Sequence, residues 1–273
     1  MRRTQCSVLL CVYHGDVPDY LRVALKSITK QTWQPEEIIV VEDGPVGEKI
    51  EEALKEFKDK IKVVKLQKNM GVGHARNEGL KHCKNELVAV MDADDIAMPE
   101  RLKLQITEFD KDKNLVLLGG QVAEFDSDPE NIIGERIVPL EEKEIRKFAH
   151  KRSPFNNVTV MYKKSAVAEV GGYSELNRAE DYLLFAKLIA AKKKVKNLPQ
   201  MLVKVRSDSN FIQRRKSWQH TREMISARNQ IRKLGIINTW DLIETSAVQI
   251  LFLITPNCFV KWFYKTWLRG FNG

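Results

Sequence analysis

The residues best able to do chemistry lie in "LVAVMDADDIAMPERL", Leu87 to Leu102, where an apolar run ends in Asp92, Asp94 and Asp95. Asp92 and Asp94 are two apart, so on an extended strand end their side chains point to one side. Two carboxylates in a small space repel unless a cation lies between them. Mg2+ or Mn2+ suits such a pair, because these ions bind through one or two carboxylates plus substrate phosphates. A metal–diphosphate complex would neutralise the charge growing on a departing nucleotide. The plainer alternative is a solvated turn, with Asp95 capping the helix that begins near Pro99. A location at the end of a buried run, beside two other acidic run ends, favours the site.

A second acidic pair, Glu180-Asp181, opens the amphipathic helix pattern "NRAEDYLLFAKLIA" (177–190). Complementarity to the helix dipole accounts for acids there without further function. As a functional reading, one carboxylate takes the proton from an attacking hydroxyl. That role asks for burial or neighbouring acids to raise a pKa that is ordinarily about 4. In "GVGHARNEG" the glycines at 71, 73 and 79 do not make GxGxxG, since position 76 is Arg, and the segment follows the third strand. A nicotinamide dehydrogenase is therefore disfavoured, and the lack of GxxxxGK[ST] argues against a P-loop NTPase. Arg76 either holds phosphate or orients a carboxylate.

These groups need strands and helices to place them. "SVLLCVY" (7–13) and "EEIIVVEDG" (36–44) read as buried strands, "IKVVKL" (61–66) as a third strand, and "ELVAVMDADD" (86–95) holds a fourth. Between them, "YLRVALKSITKQ", "GEKIEEALKEFKDK" and "GVGHARNEGLKHC" read as helices. Apolar runs without alternation, separated by helices, indicate a mostly parallel sheet covered on both faces. Ligands then bind at the carboxyl ends of the strands. Three of those ends are polar: Tyr13-His14-Gly15-Asp16, Glu42-Asp43-Gly44 and Asp92-Ala93-Asp94-Asp95. From about 114 to 206 come short strands, "LVLLGG", "NNVTVMY" and "MLVKVR", with helices near 141–150 and 180–191. Segments 212–234 and 239–269 read as helices rich in Lys, Arg and Trp.

The chain has 273 residues, 43% of them hydrophobic and 8% aromatic, enough for a large core and incompatible with a disordered chain. Charge is uneven. Residues 1–181 carry 28 Lys+Arg against 32 Asp+Glu, a net of −4, whereas 182–273 carry 17 against 4, a net of +13. The basic back half suits a polyanionic partner, a membrane surface or nucleic acid, or else is simply solvated. Cys6, Cys11, Cys83 and Cys258 show no metal-like spacing, and the N-terminal apolar run reads as a strand and not a signal peptide, so a reducing cytoplasm is expected. In "AVQILFLITPNCFVKWFYKTWLR" (247–269) the apolar run before Pro256-Asn257 is about nine residues, short of the roughly 20 that span a bilayer. Trp262, Phe263, Tyr264 and Trp267 beside Lys261, Lys265 and Arg269 fit a helix in a membrane interface. A core helix packed on the catalytic domain is the alternative, and both can hold.

Seven segments in order, "SVLLCVYHGD", "QTWQPEEIIVVEDG", "NMGVGHARNEGL", "MDADDIAMPERL", "FNNVTVMYKKSAVAEVGGY", "AEDYLLFAKL" and "VKVRSDSNFIQRR", make the chain resemble a family 2 glycosyltransferase of the GT-A type. More narrowly, it resembles bacterial enzymes of exopolysaccharide, capsule and lipopolysaccharide assembly. The resemblance implies an α/β GT-A (nucleotide-diphospho-sugar transferase) fold, its mostly parallel central sheet flanked by helices, with a C-terminal helical extension. It implies that Val12 and Tyr13 line the base pocket, that Asp43 binds the uracil edge and that Arg76 sits near the nucleotide. Asp92 would approach ribose and metal, Asp94 would hold the metal, and Asp181, supported by Glu180, would be the base of an inverting single displacement. Two positions depart from the family. His14 stands where Asn is common, and Arg206-Ser207-Asp208 replaces an "RxH" whose His is a further metal ligand, with Asp208 or water as substitutes.

The expected organisation is a catalytic domain over 1–210 (nucleotide half about 1–112, acceptor half about 113–210) and a basic amphipathic extension over 211–273. The expected partners are a nucleotide sugar, UDP-linked as the resemblance implies, a lipid-linked or glycan acceptor and an anionic membrane surface, with no nucleic acid. The expected location is cytoplasmic, peripheral to the inner face of the cell membrane. Two other readings fit parts of the sequence. A phosphoryl-transfer enzyme using DxD would want it on the first strand with Thr two after the second Asp, where Ile96 stands. A nucleic-acid-binding module using the basic region would have no use for Asp94.

Overall fold

Strands with no polar alternation can be stable only when both faces are covered, and all but the edge strand of the front half are built that way. The computed structural model describes residues 4–176, 178–207 and 216–255. Its strands β1 (Cys6–Val12), β2 (Glu37–Glu42), β3 (Lys62–Lys65) and β4 (Leu87–Met91) are parallel and lie in the order β3-β2-β1-β4. Helices α1 (Pro18–Thr29), α2 (Glu48–Lys55) and α3 (Val72–His82) make the crossovers. Alternate residues of β1 feed two separate core layers. Val8 and Leu10 pack with Leu21 and Leu25 of α1, while Leu9 lies with Val41, Ala75 and Leu80 on the α3 side. At Gly79 the approach of α3 is so close that a Cβ would lie 2.3 Å from Leu9 Cδ1 and 2.8 Å from Val41 Cγ2. A methyl there overpacks the layer, at about 1–3 kcal/mol.

The back half continues the same sheet. After β5 (Ile96–Ala97) and α4 (Arg101–Lys111) come β6 (Leu115–Phe125), β7 (Ile132–Arg136), α5 (Glu142–Phe148), β8 (Met161–Lys163), α6 (Lys164–Glu169), α7 (Glu180–Ala190) and β9 (Lys194–Arg206). The order extends from β4 as β8-β6-β9-β5, with β7 on β6. β9 runs parallel to β6, while β5, β7 and β8 are antiparallel to their neighbours. β6 and β9 are far longer than the short strands "LVLLGG" and "MLVKVR" expected from sequence. Bulges break the apolar pattern, and buried amides fill them: Gln121 Nε2 donates to the Leu198 carbonyl (2.8 Å) and Asn197 Nδ2 to that of Pro139 (2.7 Å). "NNVTVMY" is not one strand but a 3-10 turn, Asn157–Thr159, followed by β8. The Thr159 hydroxyl donates to the Asn156 carbonyl (2.7 Å) and accepts from Gly120 N (3.0 Å), bonds that compete with a strand ladder.

Two further helices, α8 (Trp218–Lys233) and α9 (Thr239–Ile254), lie within the expected 212–234 and 239–269 segments. Ile231 and Ile237 pack with Tyr182, Leu183 and Ala186 of α7, so these helices rest on the back of the catalytic half. Trp262, Phe263, Tyr264, Trp267 and their flanking bases lie outside the described residues. Among the described residues, no helix is long and apolar enough to cross a membrane.

Candidate active site

The carboxyl ends of β1, β2 and β4 meet α3 and the first turn of α7 at one mouth of the sheet. β4 ends at Met91, so Asp92–Asp95 occupy a turn and not the extended strand end that would align Asp92 with Asp94. Asp92 is half-buried and accepts from Arg76 Nη2 (3.1 Å), while Asp94 is exposed. Asp95 is buried and accepts from Arg206 N (3.0 Å) at the end of β9; it does not cap the following helix, whose first turn begins at Arg101. The Arg206 guanidinium in turn covers the Tyr20 ring at 3.8 Å. Beneath the turn, the fully buried Arg101 donates to the Val90 carbonyl (2.7 Å) and that of Val160 (3.4 Å), stitching β4 to the chain before β8. Burial lowers the Arg101 pKa to about 10, so it remains a cation below the acidic turn.

At the β1 end, the Val12 side chain belongs to the core and its carbonyl accepts from Asp43 N (2.8 Å). Tyr13 is exposed, its ring edge-on to exposed His14 with centroids 5.3 Å apart. Its N–H donates to Asp16 Oδ2 (2.9 Å). At the β2 end, Asp43 is buried and both its oxygens accept main-chain N–H groups, from Met70 (2.7 Å) and Gly71 (3.0 Å). Asp43 thus holds the loop that leads into α3, using one lone pair on each oxygen.

Arg76 joins the two acidic motifs. From α3 it donates through Nη1 to Glu180 Oε1 (2.8 Å) and through Nη2 to Asp92, with the Tyr173 ring 5.4 Å from its guanidinium. Of its two possible roles, the structure shows the orienting of carboxylates. The same helix receives the loop ahead of α7. Asn77 accepts from Tyr173 N and donates to the Tyr173 carbonyl, both at 2.9 Å. At Gly73 a Cβ would stand 2.4 Å from the Ser174 carbonyl oxygen. Just before Glu180, Ala179 takes a left-handed φ of 64°, a strained conformation for a residue with a Cβ. Asp181 is half-buried and accepts from Tyr182 N (2.7 Å).

The electrostatics suit proton transfer. Burial pushes the Glu180 carboxyl up to about 7, aided by the charge of Asp181 and opposed by Arg76. Burial also raises Asp181, with Arg76 opposing and Asp92 adding to the rise. Asp16 is lifted to about 7 by burial and by Asp94 and Asp92, against the Tyr13 N–H bond. Asp95 rises through burial and the same two charges. The mouth is therefore crowded with hard oxygen donors repelling one another, a set that fits Mg2+ or Mn2+ chemistry. Among the described residues, no group of three or more His, Cys, Asp or Glu is placed to hold an ion by protein ligands alone. Ser207, just after β9, is the last described residue of this segment, and Asp208 lies outside the described residues.

Sequence reasoning missed Asn77, Tyr173, Arg101 and the Asp95–Arg206 link. Asn77 and Tyr173 sat inside "HARNEG" and "VGGY" as unexplained polar residues, and only the docking of α3 on the 171–180 loop reveals their use.

The family model described as "Glycosyl transferase family 2" matches residues 7–176. An uncharacterized glycosyltransferase of Haemophilus influenzae is 38% identical over 265 residues, covering 96% of this chain and 98% of the relative. The UDP-Gal:alpha-D-GlcNAc-diphosphoundecaprenol beta-1,3-galactosyltransferase of Escherichia coli is 32% identical, covering 97% of each chain. Among solved structures, S. aureus TarS 1-349 in complex with UDP-GlcNAc superposes with a TM-score of 0.66 at 19% identity, covering 96% of this chain and 73% of that one. That likeness is one of fold, the GT-A arrangement expected from the sequence.

Proposed function

The chain belongs to glycosyl transferase family 2, and from that premise we propose that it moves a hexose, with inversion, from a UDP-linked donor to a hydroxyl of a lipid-carried saccharide in cell-surface polysaccharide synthesis. One observation carries this reading: a single buried arginine, Arg76, ties the DxD turn to the Glu180-Asp181 pair. Donor-side and acceptor-side acids are thereby held in one rigid unit, as a single displacement requires.

In the proposed step, Asp181 accepts the proton of the acceptor hydroxyl as its oxygen bonds to the anomeric carbon. The bond from that carbon to the diphosphate breaks, and UDP departs with the electron pair. A carboxylate raised by burial is a better base near neutrality than an exposed one. Glu180, fixed by Arg76, keeps the first turn of α7 in place, and Ala179 sets its entry. Tyr13 offers an exposed ring to the base, and Asp43 shapes the loop beside it while its free lone pairs remain for the uracil edge. Asp94 and Asp92 would hold Mg2+ or Mn2+, which supplies neutralisation of the diphosphate charge.

The lipid-linked acceptor follows the activity named for the E. coli relative. We assign 1–210 to catalysis and 211–273 to a basic extension, and place the protein peripherally at the cytoplasmic leaflet, where its +13 back segment from residue 182 suits anionic lipid. The experiment is a screen of nucleotide sugars, with Mn2+, for hydrolysis and for transfer to a diphospho-lipid saccharide. UDP-hexose turnover that Asp181→Asn removes while UDP binding persists supports the reading. Turnover confined to phosphoryl substrates, or none with any nucleotide sugar, overturns it.

A further inference from the structure

The last described helix turns an apolar face outward. α9 packs its inner side on α8, where the Thr245 carbonyl accepts from Arg228 Nη1 (2.8 Å), and Leu242 joins the cluster around Ile231 and Tyr182. On its outer side Trp240, Ile243, Leu251 and Ile254 are exposed by 78%, 52%, 60% and 69%. At 100° per residue these four fall within about 80° of one another, a continuous stripe along the helix.

Charge decides between possible occupants of that stripe. Both acids of α9 are already engaged, Asp241 with His150 (3.2 Å) and Glu244 with Lys151 (2.9 Å). After Glu244 the sequence has no Asp or Glu, while Lys261, Lys265 and Arg269 bring it to +3. The chain from residue 182 onward carries a net +13, so a second copy would bring like charge to like, whereas an anionic leaflet complements it. Trp240 and Trp218, both exposed and at the starts of their helices, have the amphipathic rings that favour a headgroup boundary.

We propose that the outer face of α9 is a bilayer-docking surface, lying in the headgroup–acyl boundary of an anionic leaflet. It rests on the reading of a lipid-linked acceptor and deepens it: basic residues attract the protein, and the apolar stripe holds it there. Because α8 and α9 pack on α7, docking sets Glu180 and Asp181 on an element directly supported by the membrane-bound helices.

The test uses the full chain and vesicles of phosphatidylcholine with and without phosphatidylglycerol. Ile243→Ser/Leu251→Ser should lower partition into the anionic vesicles at least about tenfold, since two buried apolar side chains are lost from the boundary. Part of the wild-type binding should survive high salt. An unchanged melting temperature establishes that the variant is folded; if it is not, Ile254→Ser at the helix end serves instead. Comparison of wild type with Trp240→Phe should show a blue shift of Trp240 emission on vesicles. Unchanged partition of the folded variants overturns the proposal. So does a wild-type dimer in solution that the variants dissociate, or a Trp240 already shielded from acrylamide without lipid. UDP-sugar turnover without vesicles should be the same in wild type and variants. Its absence in all of them, with stripe-dependent binding intact, would sink the transfer reaction and leave the docking surface standing.

Discussion

Replacing Arg76 by Met removes the cation from a pair whose side chains are only 5% and 9% exposed. Breaking a buried pair costs about 3–5 kcal/mol when the remaining charge cannot neutralise. Glu180 has an escape, because its pKa already stands at about 7 and rises further once Arg76 is gone. The cost therefore depends on pH. Below about 7 the native Glu180 is protonated with or without Arg76, so the variant loses mainly hydrogen bonds, about 1–3 kcal/mol. Above about 7 the wild-type carboxyl ionises in the native state as it does unfolded, whereas the variant's native state keeps its proton. The unfolded variant then binds fewer protons than the folded one, and its stability falls by about 1.4 kcal/mol per pH unit. Between about pH 7 and 8.5 the gap to wild type should widen by about 2 kcal/mol, or roughly 4–8 °C in melting temperature. Urea unfolding across that range measures it. Arg76→Met/Glu180→Met should show a shallower slope, what remains coming from Asp181, which Arg76 also holds down, and at the alkaline end should be the more stable of the two variants. A pH-independent loss, or a double variant no better than the single one at the alkaline end, would refute the role given to this pair.

Asp94→Asn should abolish metal-dependent transfer without lowering the melting temperature, because Asp94 is exposed on its turn; a near-full rate in excess EDTA would contradict it. Asp181→Asn should slow the chemical step by about 10²-fold or more while calorimetry shows unchanged UDP affinity; lost UDP affinity with normal turnover would put Asp181 in the donor pocket instead. Asn77→Leu removes both hydrogen bonds to the Tyr173 main chain and should cost about 1–3 kcal/mol of stability. Its kcat should fall more than its donor KM rises, since the loop it clamps leads to Glu180; a pure rise in KM would tie Asn77 to the donor.

Local chemistry makes much of this protein legible in its sequence. Continuous apolar runs closed by acids marked β1, β2 and β4, and parallel pairing then required the three acidic ends to share one mouth. Helical spacing likewise placed Glu180 and Asp181 in the first turn of α7. What local pattern could not carry were relations between distant segments. Whether Arg76 meets phosphate or carboxylate depends on how α3 lies against a loop about 100 residues later, and Asn77 and Gly73 act only through that contact. The long β6–β9 pair was hidden because its bulges and buried amides interrupt the apolar alternation that strands show in sequence. Asp92 and Asp94 looked aligned because period two was extended past Met91, where the chain turns. The face of α9 left uncovered was a tertiary decision too: hydrophobic spacing says that a helix has an apolar side, and only packing says whether anything lies against it.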